Sequence, residues 1–188
     1  MINSKSMIKI FLTGPPGIGK TTCVLKIYET LTLYGYVVGG FVSKEMRKEG
    51  KRIGFKLINL FDRSEEVLAD IYSKTHYKIG KYNVNLDGLN KFIDRLYPLE
   101  NYDIIIIDEI GPMEMLSKKF KKLIQEIMLS DTPSIFTIHV SYANKIHEYF
   151  NTSRPNILYR LTRENREGMP LIIWMELQRH IKGKKNEK

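Results

Sequence analysis

The chain has 188 residues, 43% of them hydrophobic and 27% charged, with a formal net charge of +9. That length suits one compact domain, expected over residues 1–188, and the composition is ordinary for a soluble globular protein. No apolar stretch approaches the length of a membrane span, and a single cysteine, Cys23, excludes an internal disulfide and fits a reducing cytoplasm.

The apolar run Ile8-Lys9-Ile10-Phe11-Leu12 reads as a buried strand so near the N-terminus that no signal peptide is expected. Beyond a glycine-rich stretch, Val24, Ile27, Tyr28 and Leu31 recur at helical spacing through Tyr34, with Gly35 closing the helix and Cys23 a small core residue on it. Residues 36–43 read as a second strand, 44–51 as a charged turn containing Gly50, and 53–60 as a half-exposed strand. Further short strands over 67–72 and 77–82 would complete a small antiparallel β insert at about 45–84. Residues 85–97 place Leu86, Leu89, Phe92, Ile93 and Leu96 on one helical face. The β-branched run 104–107 suits a strand buried on both faces.

A helix over 117–129 is predicted to bury Leu116, Phe120, Leu123, Ile124 and Ile127 and leave Lys118, Lys119, Lys121 and Lys122 to water. Strands at 134–139 and 156–161 follow, then a segment from Pro170 with Leu171, Trp174, Met175 and Ile181 as an apolar stripe. Strands alternating with helices predict an α/β fold, a three-layer sandwich around a mainly parallel sheet, with ligands at the C-terminal ends of the strands.

The glycine-rich stretch is Gly14-Pro15-Pro16-Gly17-Ile18-Gly19-Lys20-Thr21, a full match to G-x-x-x-x-G-K-[ST] between a strand and a helix. Glycines let successive backbone N–H groups point at one phosphate, and the helix N-terminus adds its positive end. Lys20 is expected to reach the β- and γ-phosphates and the Thr21 hydroxyl to ligate Mg²⁺, with Thr22 next in the cradle. The chain is therefore expected to bind a nucleotide.

Asp108 closes the isoleucine strand and Glu109 follows it. An apolar strand ending in an acid is the Walker B pattern, in which the Asp holds Mg²⁺ through water. Glu109 is placed to orient or deprotonate a water for attack on the γ-phosphate. The long interval between loop and acid leaves room for an intervening strand, and no guanine-reading N-K-x-D occurs. Both features favour the RecA/AAA-like ATPase branch of P-loop folds over the small GTPases.

Arginine candidates for neutralising transition-state charge are Arg47 and Arg52 in the hairpin, and Arg154, Arg163 and Arg166 late in the chain. Arg163 and Arg166 are three apart, on neighbouring faces if helical. The expectation is that Arg166 or Arg163 lies near the nucleotide, while the hairpin arginines face a partner or substrate. Lys182, Lys184, Lys185 and Lys188 make the tail 182–188 basic. Nucleic-acid binding is the less favoured reading of that charge, because no recognisable nucleic-acid motif accompanies it.

These residues resemble a known family, the small nucleoside-triphosphatases of archaea and thermophilic bacteria, related to the human cancer-related nucleoside-triphosphatase. The likeness spans nearly the whole chain. Besides 14–21 it includes Gly40-Phe41-Val42-Ser43 leading to Glu45, Arg47, Gly50, Arg52, Gly54 and Phe55, and then Gly80-Lys81-Tyr82. It continues through Ile107-Asp108-Glu109-Ile110-Gly111-Pro112-Met113-Glu114 and Thr162-Arg163-Glu164-Asn165-Arg166. The resemblance implies a Mg²⁺-dependent hydrolase of ATP, GTP and other NTPs, with loose base preference; slow turnover, no membrane, and a monomer or weak homo-oligomer are expected. One departure is that Val140 follows His139, where the family often carries a basic residue. Phosphate sensing by Thr137 or His139, or an ordinary packed His139, stay open alternatives. Two rival readings also stand: a kinase using the 45–84 insert for its acceptor, and a nucleic-acid-dependent ATPase.

Overall fold

The computed structural model describes residues 8–144 and 156–181; Arg154 and the basic tail 182–188 lie outside these residues. The first apolar run forms β1 (Lys9–Thr13), buried along its whole length because parallel strands lie on both sides of it and helices cover its faces. The glycine loop turns it into α1 (Lys20–Leu33), which buries Cys23, Val24, Ile27 and Leu31. Gly35 ends the helix: at φ 79° its N–H donates to the Thr32 carbonyl, and the Tyr36 N–H donates to that of Leu31. Glycine adopts this left-handed exit without strain.

β2 (Val38–Lys48) and β3 (Lys51–Asn59) form a long antiparallel hairpin. The charged turn expected over 44–51 is corrected: Glu49 and Gly50, at φ 50° and 74°, make the turn, and residues 44–48 are strand. There the hairpin runs beyond the core into solvent, so charges fall on both faces. β4 (Glu65–Asp70), β5 (Lys78–Ile79) and β6 (Tyr82–Val84) continue the antiparallel pairing. The expected insert is therefore an extension of the main sheet, joined through β2, which also pairs in parallel with β7 (Ile104–Ile110).

α2 (Leu86–Asp94) is capped by Asn85, whose side chain accepts the Gly88 N–H at 2.9 Å. After β7 a 3₁₀ turn, Glu114–Leu116, leads to α3 (Lys118–Leu129), capped in turn by Ser117. β8 (Ser134–Ile138), the short α4 (Val140–Ala143), β9 (Asn156–Arg160) and α5 (Met169–His180) complete the described chain. The nine strands run β5-β6-β4-β3-β2-β7-β8-β1-β9, with β2, β7, β8, β1 and β9 parallel. β8 thus lies between β7 and β1, the intervening strand that the spacing predicted.

Helices α1 and α5 cover one face of the sheet, and α2 and α3 the other, giving three layers. Phe11 stacks on Phe136 and Phe41 meets Phe92 edge-on beneath α2 and α3. Two burial expectations are corrected. Leu116 is exposed because it belongs to the 3₁₀ turn before α3. On α5 the buried set is Met169, Ile173, Trp174 and Leu177, while Leu171 and Met175 face solvent. The i, i+4, i+8 series of Met169, Ile173 and Leu177 is the face turned to α1.

Candidate active site

At the end of β1 the loop reverses direction on its glycines. A Cβ at Gly14 would lie 2.8 Å from the Leu161 carbonyl oxygen and 3.1 Å from Ile18 Cγ2, so a side chain there collides with the segment following β9. Gly17 and Gly19 meet nothing, but their φ values of 75° and 109° require glycine. Pro15, Pro16 and Gly17 are exposed and Ile18 is buried, its N–H held by the Pro15 carbonyl at 3.2 Å. Gly19 caps α1 without any side-chain hydrogen bond. The N–H groups of Gly19, Lys20, Thr21 and Thr22 have no intrahelical acceptor, so they and the positive end of the helix dipole are available to an anion.

Lys20 is buried. Its Nζ donates to the Gly14 carbonyl at 3.2 Å and lies 3.7 Å from Glu109 Oε2. Asp108 is fully buried within β7, which runs two residues past it to Ile110 rather than closing at the acid. Its carboxylate accepts from Thr21 Oγ1 at 2.8 Å and Thr137 Oγ1 at 2.5 Å, one hydroxyl to each oxygen. Burial pushes its pKa up to about 6, against the two threonine hydroxyls and the Ser43 backbone, which favour the charged form.

Glu109 sits where the β7–β8 ladder slips between Ile107 and Ile110, and the Asp108–Glu109 peptide is cis. Asp108 turns to the threonines, while Glu109 lines the open cleft. Burial raises the Glu109 pKa, and the nearby Lys20 ammonium opposes that rise.

The cleft holds about 490 Å³ and is lined by the loop, Lys20, Thr21, Glu109 and His139, with the hairpin's Glu45, Arg52 and Phe55 across from them. His139 is not a packed core residue. It caps α4, its Nδ1 lies 2.8 Å from Ser141 Oγ, and burial together with the Lys20 charge holds its pKa below the usual imidazole value. Thr137 is fully buried against Asp108 and does not line the cleft.

The arginines fall in two places. Arg166 lines an adjoining pocket of about 220 Å³ that shares Gly17, Gly19 and Thr22 with the cleft, and its Nε lies 3.4 Å from Glu167 Oε1. Neither Lys20 nor Glu109 lines that pocket. Arg163 is exposed on the turn between β9 and α5 and lines neither space. Arg52 instead reaches the larger cleft, on the side of Lys20 and Glu109.

Glu114 has no role assigned from sequence. It is 5% exposed, and its own backbone N–H and that of Gly111 favour its charged form. Burial, reinforced by the negative charges of Glu109 and Asp108, pushes its pKa up to about 8. Gly111 has no room for a side chain between them: a Cβ would lie 2.9 Å from Glu114 Oε2 and 3.3 Å from Glu109 Cγ. The available signal was the glutamate three positions after a glycine that itself follows the strand acids.

A family model described as NTPase matches residues 9–174. The chain is 44% identical over 164 residues to nucleoside-triphosphatase THEP1 of Methanocaldococcus jannaschii, covering 86% of this chain and 92% of that one. With the THEP1 of Archaeoglobus fulgidus it shares 40% identity over 157 residues, 84% and 86% of the two chains. Among solved structures it superposes on THEP1 from Aquifex aeolicus with a TM-score of 0.75 at 28% identity, covering 90% and 99% of the two chains. A human cancer-related nucleoside triphosphatase superposes with a TM-score of 0.76 at 29% identity, covering 93% and 99%.

Proposed function

We propose that this chain, which belongs to the NTPase family, hydrolyses the terminal anhydride of nucleoside triphosphates with Mg²⁺, releasing the diphosphate and phosphate. The convergence of Lys20, Thr21, Asp108 and Glu109 on one glycine loop is the observation that carries this reading. The Thr21 hydroxyl and the Asp108 carboxylate are hard oxygen donors 2.8 Å apart. Among the described residues no group of three or more His, Cys, Asp or Glu gathers around a metal. So sparse a donor set fits Mg²⁺, which keeps much of its water and takes substrate phosphate oxygens. When bound, the ion supplies positive charge to the β- and γ-oxygens.

The loop N–H groups hold the β-phosphate, and Lys20 moves from the Gly14 carbonyl to the β- and γ-oxygens. Glu109 orients a water in line with the γ-phosphorus and takes its proton as the new P–O bond forms and the β–γ bridge breaks. Its raised pKa brings this base closer to neutrality. Arg166 and Thr22 meet the nucleotide from the far side of the loop. The open pocket there, edged by Lys26 and Glu167, suits loose base preference. A single buried cysteine supports a reducing cytoplasm as its location, and among the described residues no helix is long and apolar enough to cross a membrane.

Phosphate release from ATP and GTP, with Mg²⁺ or EDTA, and with or without nucleosides or RNA, tests this function. Acceptor-independent release that EDTA abolishes is expected. Label transfer to an added nucleoside or RNA would establish the kinase instead, and a salt-sensitive stimulation by RNA would establish a nucleic-acid-dependent ATPase.

A further inference from the structure

We propose that Arg52 is the arginine that contacts the γ-phosphate, and that Glu45 holds it back until a triphosphate enters. The assignment rests on the hydrolytic reading above and adds a charge which that reading lacks. Charge in phosphoryl transfer spreads over three equatorial oxygens, and Lys20, shared with Gly14 and Glu109, is one compact cation. Among the described residues lining the 490 Å³ cleft, Arg52 brings the one guanidinium. Lys44 also lines it, but an ammonium lacks the planar fork that grips two phosphate oxygens at once.

The guanidinium is oriented and restrained. Its Nε donates to the Tyr82 hydroxyl at 2.8 Å and its Nη1 to Glu45 Oε1 at 2.8 Å. It lies over the rings of Phe55 at 5.1 Å and Tyr82 at 5.7 Å, contacts that fix its plane without consuming a donor. Glu45 is itself divided, since its Oε2 accepts from Arg47 at 2.6 and 3.0 Å. One carboxylate thus restrains two guanidiniums at a partly solvated site. A γ-phosphate carries more charge than this shared carboxylate and competes for Arg52. The hairpin that carries all three residues is already exposed at Lys44 and Glu45, and its β2–β3 register shifts between Met46 and Arg47. Arg166, the other candidate, lines the adjoining pocket, which shares Gly17, Gly19 and Thr22 with the cleft but lacks Lys20 and Glu109.

The test compares wild type, Arg52→Ala, Arg52→Lys and Glu45→Gln with Lys20→Ala and Glu109→Gln. Readouts are kcat and KM for phosphate release, affinity for ADP with and without aluminium fluoride, and the melting temperature. Arg52→Ala is expected to lower kcat about 10³-fold, while ADP affinity stays within about 3-fold of wild type. It should also lose the gain in affinity that aluminium fluoride gives wild type. Arg52→Lys should recover little of the rate, and Glu45→Gln should raise kcat/KM several-fold.

Turnover by Arg52→Ala within about 3-fold of wild type, with Lys20→Ala and Glu109→Gln inactive, overturns the arginine assignment and leaves the hydrolase standing. Loss of ADP affinity and of melting temperature together, in both Arg52 variants, makes Arg52 a structural residue and overturns it too. A rate drop in Glu45→Gln equal to that of Arg52→Ala overturns the restraint. No phosphate release by wild type overturns the hydrolytic reading and this assignment with it.

Discussion

Glu114→Gln should change the stability of this protein only where Glu114 would have to ionise. The glutamate is 5% exposed and its pKa is pushed up to about 8, burial being the main cause and Glu109 and Asp108 adding repulsion. In the unfolded chain the same carboxyl titrates in the ordinary range near 4.5. A folded-state pKa above the unfolded value means stability is fully present below pH 4.5 and lost as pH rises to about 8. At about 1.4 kcal/mol per pH step, the loss across that window is on the order of 5 kcal/mol. Glutamine keeps the shape and carries no charge, so it escapes the loss.

The two proteins should therefore melt within a few degrees of each other at pH 5. At pH 8.5 the variant should melt higher by roughly 10 °C or more, taking about 2–4 °C per kcal/mol for a chain of this size. Asp108 and Glu109 titrate in both proteins, so the difference between them isolates Glu114. Paired calorimetric melts at half-unit steps from pH 5 to 9 measure it. A gap that stays constant across that range would refute the claim that Glu114 is buried as a neutral acid.

Thr137→Val removes one of the two hydroxyls on buried Asp108, and should cost roughly 1–3 kcal/mol of stability while raising the Mg²⁺ concentration needed for half-maximal turnover. A melt and a Mg²⁺ titration check this, and an unchanged Mg²⁺ requirement would contradict the role given to Asp108. Gly40→Ala would place a Cβ 1.9 Å from the Ile106 carbonyl oxygen at φ 94°, forcing β2 from β7 at a cost above about 4 kcal/mol. Gly50→Ala, at φ 74° in open space, should cost about 1 kcal/mol; equal melting temperatures for the two variants would refute that packing.

Local spacing made the loop, the isoleucine strand and the position of β8 legible, because each is written in consecutive residues. The strand at 44–48 is not legible in the sequence, because a strand that leaves the core loses the alternation by which strands are recognised. Its charges at Glu45, Arg47 and Lys48 looked like a turn, yet they form an arm beside the cleft. Leu171 and Met175 fit a buried stripe in the sequence because any apolar set at helical spacing looks like a core face. Docking of α5 on α1 chose Met169, Ile173 and Leu177 instead. The arginine of the cleft is not legible in the sequence, because Arg52 is far from the loop and only sheet pairing brings it across from Lys20. Glu114 had no recognisable chemistry until the turn at Gly111 folded it toward Glu109.

The most direct measurement is steady-state phosphate release from Mg²⁺–ATP by Glu109→Gln beside wild type, with nucleotide affinity measured on the same samples. The account predicts a fall in turnover of about 10²-fold or more with affinity kept, since Glu109 acts on the water and the loop with Lys20 holds the phosphates. Wild-type turnover in that variant would contradict the account, because no other carboxylate among the described residues lines the cleft beside Lys20 without already serving Arg52 and Arg47.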